Sequence, residues 1–215
     1  MIRMKSKLKF FFKSLSFNTA DNKTQGVKFP PHYKDWASLD YHDPAWDVRT
    51  RLIATLVPER TCVLEFGAGR RQLEKYIPAS CAYIPSDLES RGEGTFICDL
   101  NIRPLPDLPV PTVDVVVFGG VLEYVTDIPS IVSWLSSHTN TIIASYVPLI
   151  HTAETKNYAA EQQNRKKATW VNSYHANEFV DIFEKIGFLC TVSHFINKSE
   201  RKSNGQKVYV FKKPI

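Results

Sequence analysis

An acidic residue, Glu65, stands beside the glycine pair Gly67 and Gly69 in a pattern that is typical of ligand-binding sites. The apolar run 62–64 leads into Glu65, and Gly67 and Gly69 follow. Glycines at this spacing let the backbone approach a ligand closely, and a helix that begins beyond them offers free N–H groups. A strand, a Gly-x-Gly turn and a helix start are typical of a nucleotide site in an α/β sheet. On its own, such a turn is equally typical of a tight connection without a ligand.

Three further acids stand in the same relation to three later apolar runs. Asp87 ends the second run, 20 residues beyond Gly67. Asp99 ends the third run, and Glu123 follows the fourth. An acid that ends the second strand of such a sheet can accept hydrogen bonds from the hydroxyls of a ribose. Because the carboxyl ends of parallel strands meet at one edge of a sheet, we expect these acids and Glu65 to lie along that edge.

Apolar runs alternate with helix-like patterns along most of the chain. The first strand and its glycine turn lie at 61–69, and further strand-like runs lie at 81–84, 95–98, 113–118, 141–146, 188–195 and 207–211. Helical periodicity occurs at 44–56, 71–76, 127–135 and 176–186. Strands that alternate with helices predict an α/β fold with a doubly wound, mainly parallel, seven-stranded sheet. The last two runs have no helix between them and predict an antiparallel edge pair.

Several segments carry weaker patterns. The helix at 44–56 is predicted to pack an apolar stripe on the core, consisting of Trp46, Val48, Leu52, Ile53 and Leu56. The connections 86–94 and 100–112 show little helical pattern, and the second contains four prolines, so one face of the sheet should be sparsely covered. Residues 147–174 have no clean period, which is typical of a functional or mobile connection, and their basic run at 165–167 is predicted to be solvated.

The basic character of the chain is concentrated at its beginning. Residues 1–17 contain five basic residues and no acid, whereas the rest of the chain is formally neutral. A neutral body argues against a broad nucleic-acid footprint, so a nucleic-acid partner is not expected. Phenylalanines interleave with the basic residues of 1–17, which fits a weak contact with a membrane surface, a disordered arm or an element packed on the body.

The chain is predicted to consist of an arm and one domain. Residues 1–43 form the basic N-terminal arm and an irregular extension, and residues 44–215 form the domain. The extension is expected to drape over the domain, since its aromatic residues Tyr33, Trp36 and Tyr41 are costly to leave in water. The four cysteines include no C-x-x-C pair and no Cys/His cluster, which predicts reduced thiols in a cytoplasmic protein and no metal site.

As a set, these residues resemble the motifs of the class I S-adenosyl-L-methionine-dependent methyltransferases. The motifs are 65–69, Asp87, 98–100, 113–116 and 120–124, and the resemblance covers about residues 44–213. It implies a Rossmann-like methyltransferase fold with S-adenosyl-L-methionine as cofactor. It further implies that Glu65, Gly67 and Gly69 shape the methionine side of the site, that Asp87 holds the ribose and that Asp99 lies near the adenine. Gly119, Gly120, Val121 and Leu122 would line the cleft beside the reactive methyl. The neighbouring residues Ala68, Leu88 and Leu100 are also expected to bind the cofactor.

The chain departs from the family pattern at several positions. Arg71 stands where a third glycine is common, and Tyr124 stands where many relatives have histidine. No Asn/Asp-Pro-Pro-aromatic motif follows the fourth strand, and no Pro-Cys pair is present. These absences argue against methylation of amino groups on nucleic-acid bases and of cytosine carbon.

The predicted function is O-methylation of a small molecule or a glycan hydroxyl by in-line methyl transfer. A hydroxyl acceptor needs a base, and His151 and His175 are expected to face the cleft, with Glu123 and Tyr124 as alternatives. His175 fits equally well as the cap of the helix at 176–186. The segment 147–174, with Tyr158, Trp170 and Tyr174, is a candidate lid over the acceptor.

Two other functions remain open from the sequence alone. One is an RNA-directed methyltransferase that uses the basic tail. The other is a catalytically degenerate cofactor-binding or scaffold protein, for which Arg71 in place of glycine is the motivating feature.

Overall fold

A seven-stranded sheet forms the centre of the computed structural model, which describes residues 32–40, 42–196 and 205–214. The strands are β1 (Cys62–Phe66), β2 (Ala82–Asp87), β3 (Phe96–Ile97), β4 (Val115–Gly119), β5 (Thr141–Tyr146), β6 (Leu189–Phe195) and β7 (Lys207–Lys212). The helices are α1 (Tyr33–Ala37), α2 (Ala45–Leu56), α3 (Gln72–Tyr76), α4 (Ile128–Leu135), α5 (Tyr158–Lys167) and α6 (Ala176–Glu184), with a short 3₁₀ helix at Leu122–Tyr124.

The sheet has the strand order β3-β2-β1-β4-β5-β7-β6. Strands β1 to β5 pair in parallel, while β7 runs antiparallel to both β5 and β6. The predicted fold class, a mainly parallel seven-stranded sheet with an antiparallel edge pair, is therefore confirmed. The order of the strands reverses between β1 and β4, and ligands of open α/β sheets bind at the carboxyl ends of the strands at this point.

Apolar side chains cover both faces of the sheet. On one face, Ile53 of α2 and Leu73 of α3 pack on the central strands. On the other face, α4 and α6 pack around an aromatic cluster in which Phe183 and Phe211 stack at 3.8 Å between ring centroids. Strand β4 is buried from both sides, which explains its nearly continuous apolar sequence.

The two connections predicted to lack a helix do lack one. Residues 86–94 and 100–112 contain no helix, and Leu105, Leu108 and Val110 of the second connection pack on the core. The face that we expected to be sparsely covered is therefore covered there by extended chain, whose prolines exclude a helix but not apolar contact.

Two predicted irregular or unpatterned segments contain helices. Helix α1 lies inside the extension within 1–43 that we predicted to be irregular, so this prediction is wrong for Tyr33–Ala37. Helix α5 lies inside 147–174, and its Arg165, which we expected to be solvated, is only 3% exposed. Because α5 buries Arg165 and Glu161 instead of an aliphatic stripe, apolar periodicity could not reveal it.

The apolar stripe of α2 faces the core only in part. Ile53 is buried, but Trp46 and Val48 are 38% and 45% exposed, so the predicted core packing is wrong for these two. No helix within the described residues is long and apolar enough to cross a lipid bilayer. The basic tail at 1–17, Tyr41 and the predicted turn at 204 lie outside the described residues.

Candidate functional site

A cavity of about 840 Å³ lies at the carboxyl ends of the parallel strands. Eleven of the residues that we predicted to bind a cofactor line it: Glu65, Gly67, Ala68, Gly69, Asp87, Leu88, Asp99, Leu100, Gly119, Gly120 and Val121. Leu122 does not line the cavity, because its side chain is fully buried in the core beneath it. The four acids at the strand ends thus meet in one place, as their positions in the sequence predicted.

The glycine turn after β1 is shaped by close packing. Gly67 has a φ of +67°, and a Cβ at this position would lie 2.3 Å from Cγ2 of Val121. Only glycine meets both conditions without strain. The backbone N–H of Gly69 donates to Oδ2 of Asp87 at 2.7 Å, which ties the turn to the end of β2.

The carboxylate of Asp87 is held by three donors. Besides the N–H of Gly69, the N–H of Leu88 and Nη2 of Arg91 donate to it, both on Oδ1, at 2.7 and 2.8 Å. A carboxylate offers about four acceptor sites. Asp87 therefore retains room on Oδ2 for one further donor, such as a ribose hydroxyl.

Asp99 carries an oxygen that nothing in the described chain satisfies. Its Oδ1 accepts a hydrogen bond from the N–H of Asn101 at 2.8 Å, while Oδ2 is buried with no partner among the described residues. A buried acceptor without a donor is costly. Asp99 lines the cavity, so a ligand amino group is a suitable donor for this oxygen.

Two buried carboxyls flank the centre of the cavity. Glu65 accepts a hydrogen bond from the hydroxyl of Tyr83, and burial raises the pKa of Glu65 to about 8, although Tyr83 and Arg49 oppose the shift. Glu123 is 1% exposed, its Oε1 accepts from the N–H of Val147 at 3.0 Å, and Oε2 has no partner among the described residues. Burial raises the pKa of Glu123 as well.

Arg49 of α2 is a cation that the sequence analysis missed. A Cβ added to Gly120 would lie 2.3 Å from Nη1 of Arg49, so the guanidinium rests directly against the glycine turn after β4. Burial lowers the pKa of Arg49, and the charges of Glu123 and Glu65 oppose this shift. Its Nε is buried without a partner in the described chain. The guanidinium can therefore receive an anionic group of a ligand.

Aromatic residues from three parts of the chain also line the cavity. Trp36 of α1 packs on Tyr124 at 5.5 Å between ring centroids, and Trp170 also lines the cavity, as do Thr169 and Val147. Burial raises the pKa of Tyr124, although a side-chain hydrogen bond with Trp170 lowers it. Part of the candidate lid at 147–174 therefore borders the cavity.

Four predicted residues lie elsewhere. Neither His151 nor His175, both expected to face the cleft, is among the described residues that line the cavity, and Tyr158 and Tyr174 of the candidate lid are not among them either. His175 instead caps α6, since its N–H donates to Oε2 of Glu178 at 2.8 Å and its Nδ1 lies 3.1 Å from the carbonyl of Leu149. Of the predicted catalytic residues, Glu123 and Tyr124 remain in the cavity.

Comparison with solved structures supplies the name of the fold. No protein-family model matches the sequence, and no curated protein matches it. A Burkholderia thailandensis 1,6-didemethyltoxoflavin-N1-methyltransferase, solved with bound 1,6-didemethyltoxoflavin and S-adenosylhomocysteine, superposes with a TM-score of 0.60 at 12% identity, over 86% of this chain and 84% of that one. The chain has the Rossmann-like fold of the class I methyltransferases.

Two further solved structures superpose on this chain. A putative O-methyltransferase from Nostoc punctiforme superposes with a TM-score of 0.60 at 16% identity, over 89% of this chain but only 63% of that one. The N-terminal domain of EvdMO1, solved in the presence of S-adenosylhomocysteine and D-fucose, gives a TM-score of 0.53 at 16% identity, over 81% and 85% of the two chains.

The sequence predicted the cavity residues that directly follow strands. It did not predict Arg49 and Arg91, which reach the site only through tertiary contacts. Arg49 had one usable signal, since it lies three residues after Trp46 on α2 and both line the cavity. Arg91 follows Asp87 by four residues, but the loop that brings the two together has no sequence signature that we recognised. In the part of the chain that the structure describes, no cluster of His, Cys, Asp or Glu is arranged to hold a metal ion.

Proposed function

We propose that the protein is an S-adenosyl-L-methionine-dependent methyltransferase that methylates a hydroxyl group of a small molecule or glycan. The observation that carries the proposal is the meeting of Glu65, Asp87, Asp99 and Glu123 in one cavity beside the glycine turn. The likeness to methyltransferase structures supports methyl transfer in general, and the choice of a hydroxyl acceptor is part of the proposal.

The polar atoms of the cavity fit the parts of this cofactor. The remaining acceptor site of Asp87 suits a ribose hydroxyl, and the unpartnered Oδ2 of Asp99 suits the adenine amino group. Arg49 suits the carboxylate of the methionine portion, while the carboxyl of Glu65 suits its ammonium group. When bound, S-adenosyl-L-methionine supplies a methyl group activated by a positively charged sulfur.

The residues around the acceptor then have two tasks. The first is alignment with exclusion of water, which is worth roughly 7–11 kcal/mol in well-oriented systems. The acceptor oxygen forms the new C–O bond as the C–S bond breaks, and the bonding pair remains on sulfur. The second task is to accept the hydroxyl proton. Oε2 of Glu123 is the best candidate, because it is unpartnered in the described chain and the raised pKa makes the carboxylate a stronger base.

The choice of a small hydroxylated molecule as acceptor is based on the aromatic and polar side chains that line the cavity. Trp46, Trp170 and Tyr124 offer aromatic faces, and Thr169 and Gln206 offer polar groups. Aromatic faces with a few polar groups suit a sugar ring or another small hydroxylated molecule. The related domain that was solved in the presence of D-fucose supports the choice of sugars as the first acceptors to test.

Arg71 was the reason to consider a catalytically degenerate scaffold protein, and its position in the structure does not support that alternative. Arg71 occupies the position of the missing glycine with a φ of +53°, and its side chain bonds Glu74 and the carbonyl of Glu93. It is not among the described residues that line the cavity, so its side chain does not fill the cofactor site. The RNA-directed alternative depends on the basic residues of 1–17. RNA is therefore included among the acceptors that are tested.

The experiment is transfer of a labelled methyl group to a panel of sugars, phenols and RNA. We expect turnover on a hydroxylated small molecule. With that acceptor, Glu123→Gln should lower kcat by about 10²–10⁴-fold while cofactor affinity stays within a factor of about two. His151→Ala should retain kcat. Salt-sensitive transfer to RNA would favour the RNA alternative instead, and cofactor binding without turnover on any acceptor would favour the scaffold.

A further inference from the structure

A buried arginine joins the end of β2 to the segment 32–40, and both contribute residues to the lining of the cavity. One nitrogen of Arg91, Nη2, donates both to Oδ1 of Asp87 at 2.8 Å and to the carbonyl of Ala37 at 2.7 Å. The side chains of Arg91 and Asp87 are each only 6% exposed. A charge-assisted bond at this depth is short and strong.

The segment that Arg91 reaches, residues 32–40, is called the strap below. It is tied to the body at both ends of α1, because the hydroxyl of Tyr33 donates to the carbonyl of Leu88 at 3.1 Å and Nη2 of Arg70 donates to the carbonyl of Leu39 at 2.6 Å. Strap residues Asp35, Trp36, Ser38, Leu39 and Asp40 line the cavity.

The strap also reaches the acceptor side. Nε1 of Trp36 donates to Oγ1 of Thr169 at 2.8 Å, across 133 residues of sequence. The same strap therefore contacts the loop after β2 through Tyr33 and Arg91 and the end of the candidate lid through Trp36. A ligand that fills the cavity from Asp87 towards Tyr124 would contact the strap.

We infer that Arg91 is a positioning residue that fixes the carboxylate of Asp87 for the cofactor and couples cofactor binding to closure of the strap. The inference rests on the proposed function. Without Arg91, Asp87 loses the charged one of its three donors, and the strap loses its hydrogen bond at Ala37. The coupling free energy is the same in both directions. If the bound cofactor stabilises the closed strap, the closed strap increases the affinity for the cofactor by the same factor.

The test combines calorimetric titration with S-adenosylhomocysteine and hydrogen–deuterium exchange of the strap amides, on the full chain. In the wild-type protein, S-adenosylhomocysteine should slow exchange at 33–40. In Arg91→Met, its affinity should fall about tenfold or more, and it should no longer protect the strap. Arg91→Lys, which keeps the positive charge but has a single donor nitrogen in place of the guanidinium, should restore part of both effects.

Arg51→Met is the matched control, because Arg51 is an exposed residue of α2 that stacks on Tyr76 outside the cavity. It should leave affinity and strap protection unchanged. Full affinity or full strap protection in both folded Arg91 variants would overturn the inference while leaving the proposed function standing. No binding by folded wild-type protein would instead contradict the proposed function and, with it, the inference.

Discussion

At the scale of single residues, the cavity brings buried acids together with the buried guanidinium of Arg49. Burial raises the pKa of Glu65 to about 8, above the ordinary glutamate value of 4.5, even though Tyr83 and Arg49 favour its charged form. Glu65 therefore binds its proton more tightly in the folded than in the unfolded state. Its contribution to stability is fully present below about pH 4.5 and is lost as the pH rises through about 8.

Glu65→Gln should reduce the pH dependence of stability. A neutral side chain cannot ionise, so the free energy of unfolding should fall less steeply between about pH 5 and about pH 8 than in the wild type. The difference in slope should not exceed about 1.4 kcal/mol per pH unit. Urea unfolding across this range measures it. Glu74→Gln, at a half-exposed carboxyl, is the control; equal slopes in the wild type and Glu65→Gln would show that Glu65 is ionised at all these pH values.

Gly67→Ala should combine backbone strain with a steric clash. The φ of +67° and the 2.3 Å approach to Val121 predict a loss of about 2–4 kcal/mol in the free energy of unfolding. Gly94→Ala is the matched control, because Gly94 has a φ of +76° but a Cβ added there would meet no atom within 4 Å. It should cost only about 1–2 kcal/mol. Equal losses in thermal or urea unfolding would mean that the contact with Val121 relaxes freely.

At the scale of elements, α5 is held in place by a buried cation. Arg165 donates to Oγ of Ser173 at 2.9 Å, to the carbonyl of Val147 at 2.9 Å and to the hydroxyl of Tyr146 at 3.2 Å. Its guanidinium also lies 4.7 Å from the ring centroid of Trp170. Arg165 therefore organises the lid segment that borders the cavity.

Arg165→Met should unfold at lower urea concentration than the wild type. It leaves several buried acceptors without a donor, which predicts a loss of about 2–4 kcal/mol in the free energy of unfolding. Lys166→Met changes the neighbouring exposed residue of α5 and should alter stability by no more than about 0.5 kcal/mol. A loss in Arg165→Met no larger than in Lys166→Met would contradict this role.

The sequence predicted the strands and the acids at their ends, but it did not predict α5 or the two arginines of the site. Strands such as β4 were predictable because burial on both faces demands a nearly continuous apolar run. Helix α5 was not, since it buries charged groups that leave no apolar period. Asp87 and Asp99 could be found from their places at strand ends, whereas Arg49 and Arg91 gain their meaning only from tertiary contacts.

At the scale of the whole molecule, the topology itself creates the site. Parallel pairing of β3, β2, β1 and β4 brings their carboxyl ends to one edge, and the reversal of order between β1 and β4 opens a crevice there. Beyond β5 the antiparallel strands β7 and β6 complete the sheet, and neither carries a predicted cofactor residue. Strand ends that are remote in sequence thus supply acids to a single cavity.

The most direct test of the account is calorimetric titration of the purified chain with S-adenosylhomocysteine. The account predicts binding in the micromolar range, about −8 kcal/mol, in the wild type. Asp87→Ala and Asp87→Asn should bind about tenfold or more weakly, while Asp107→Ala, at an exposed acid outside the cavity, should bind as the wild type does. Absence of binding by the folded wild-type protein, or full affinity in both Asp87 variants, would contradict the account.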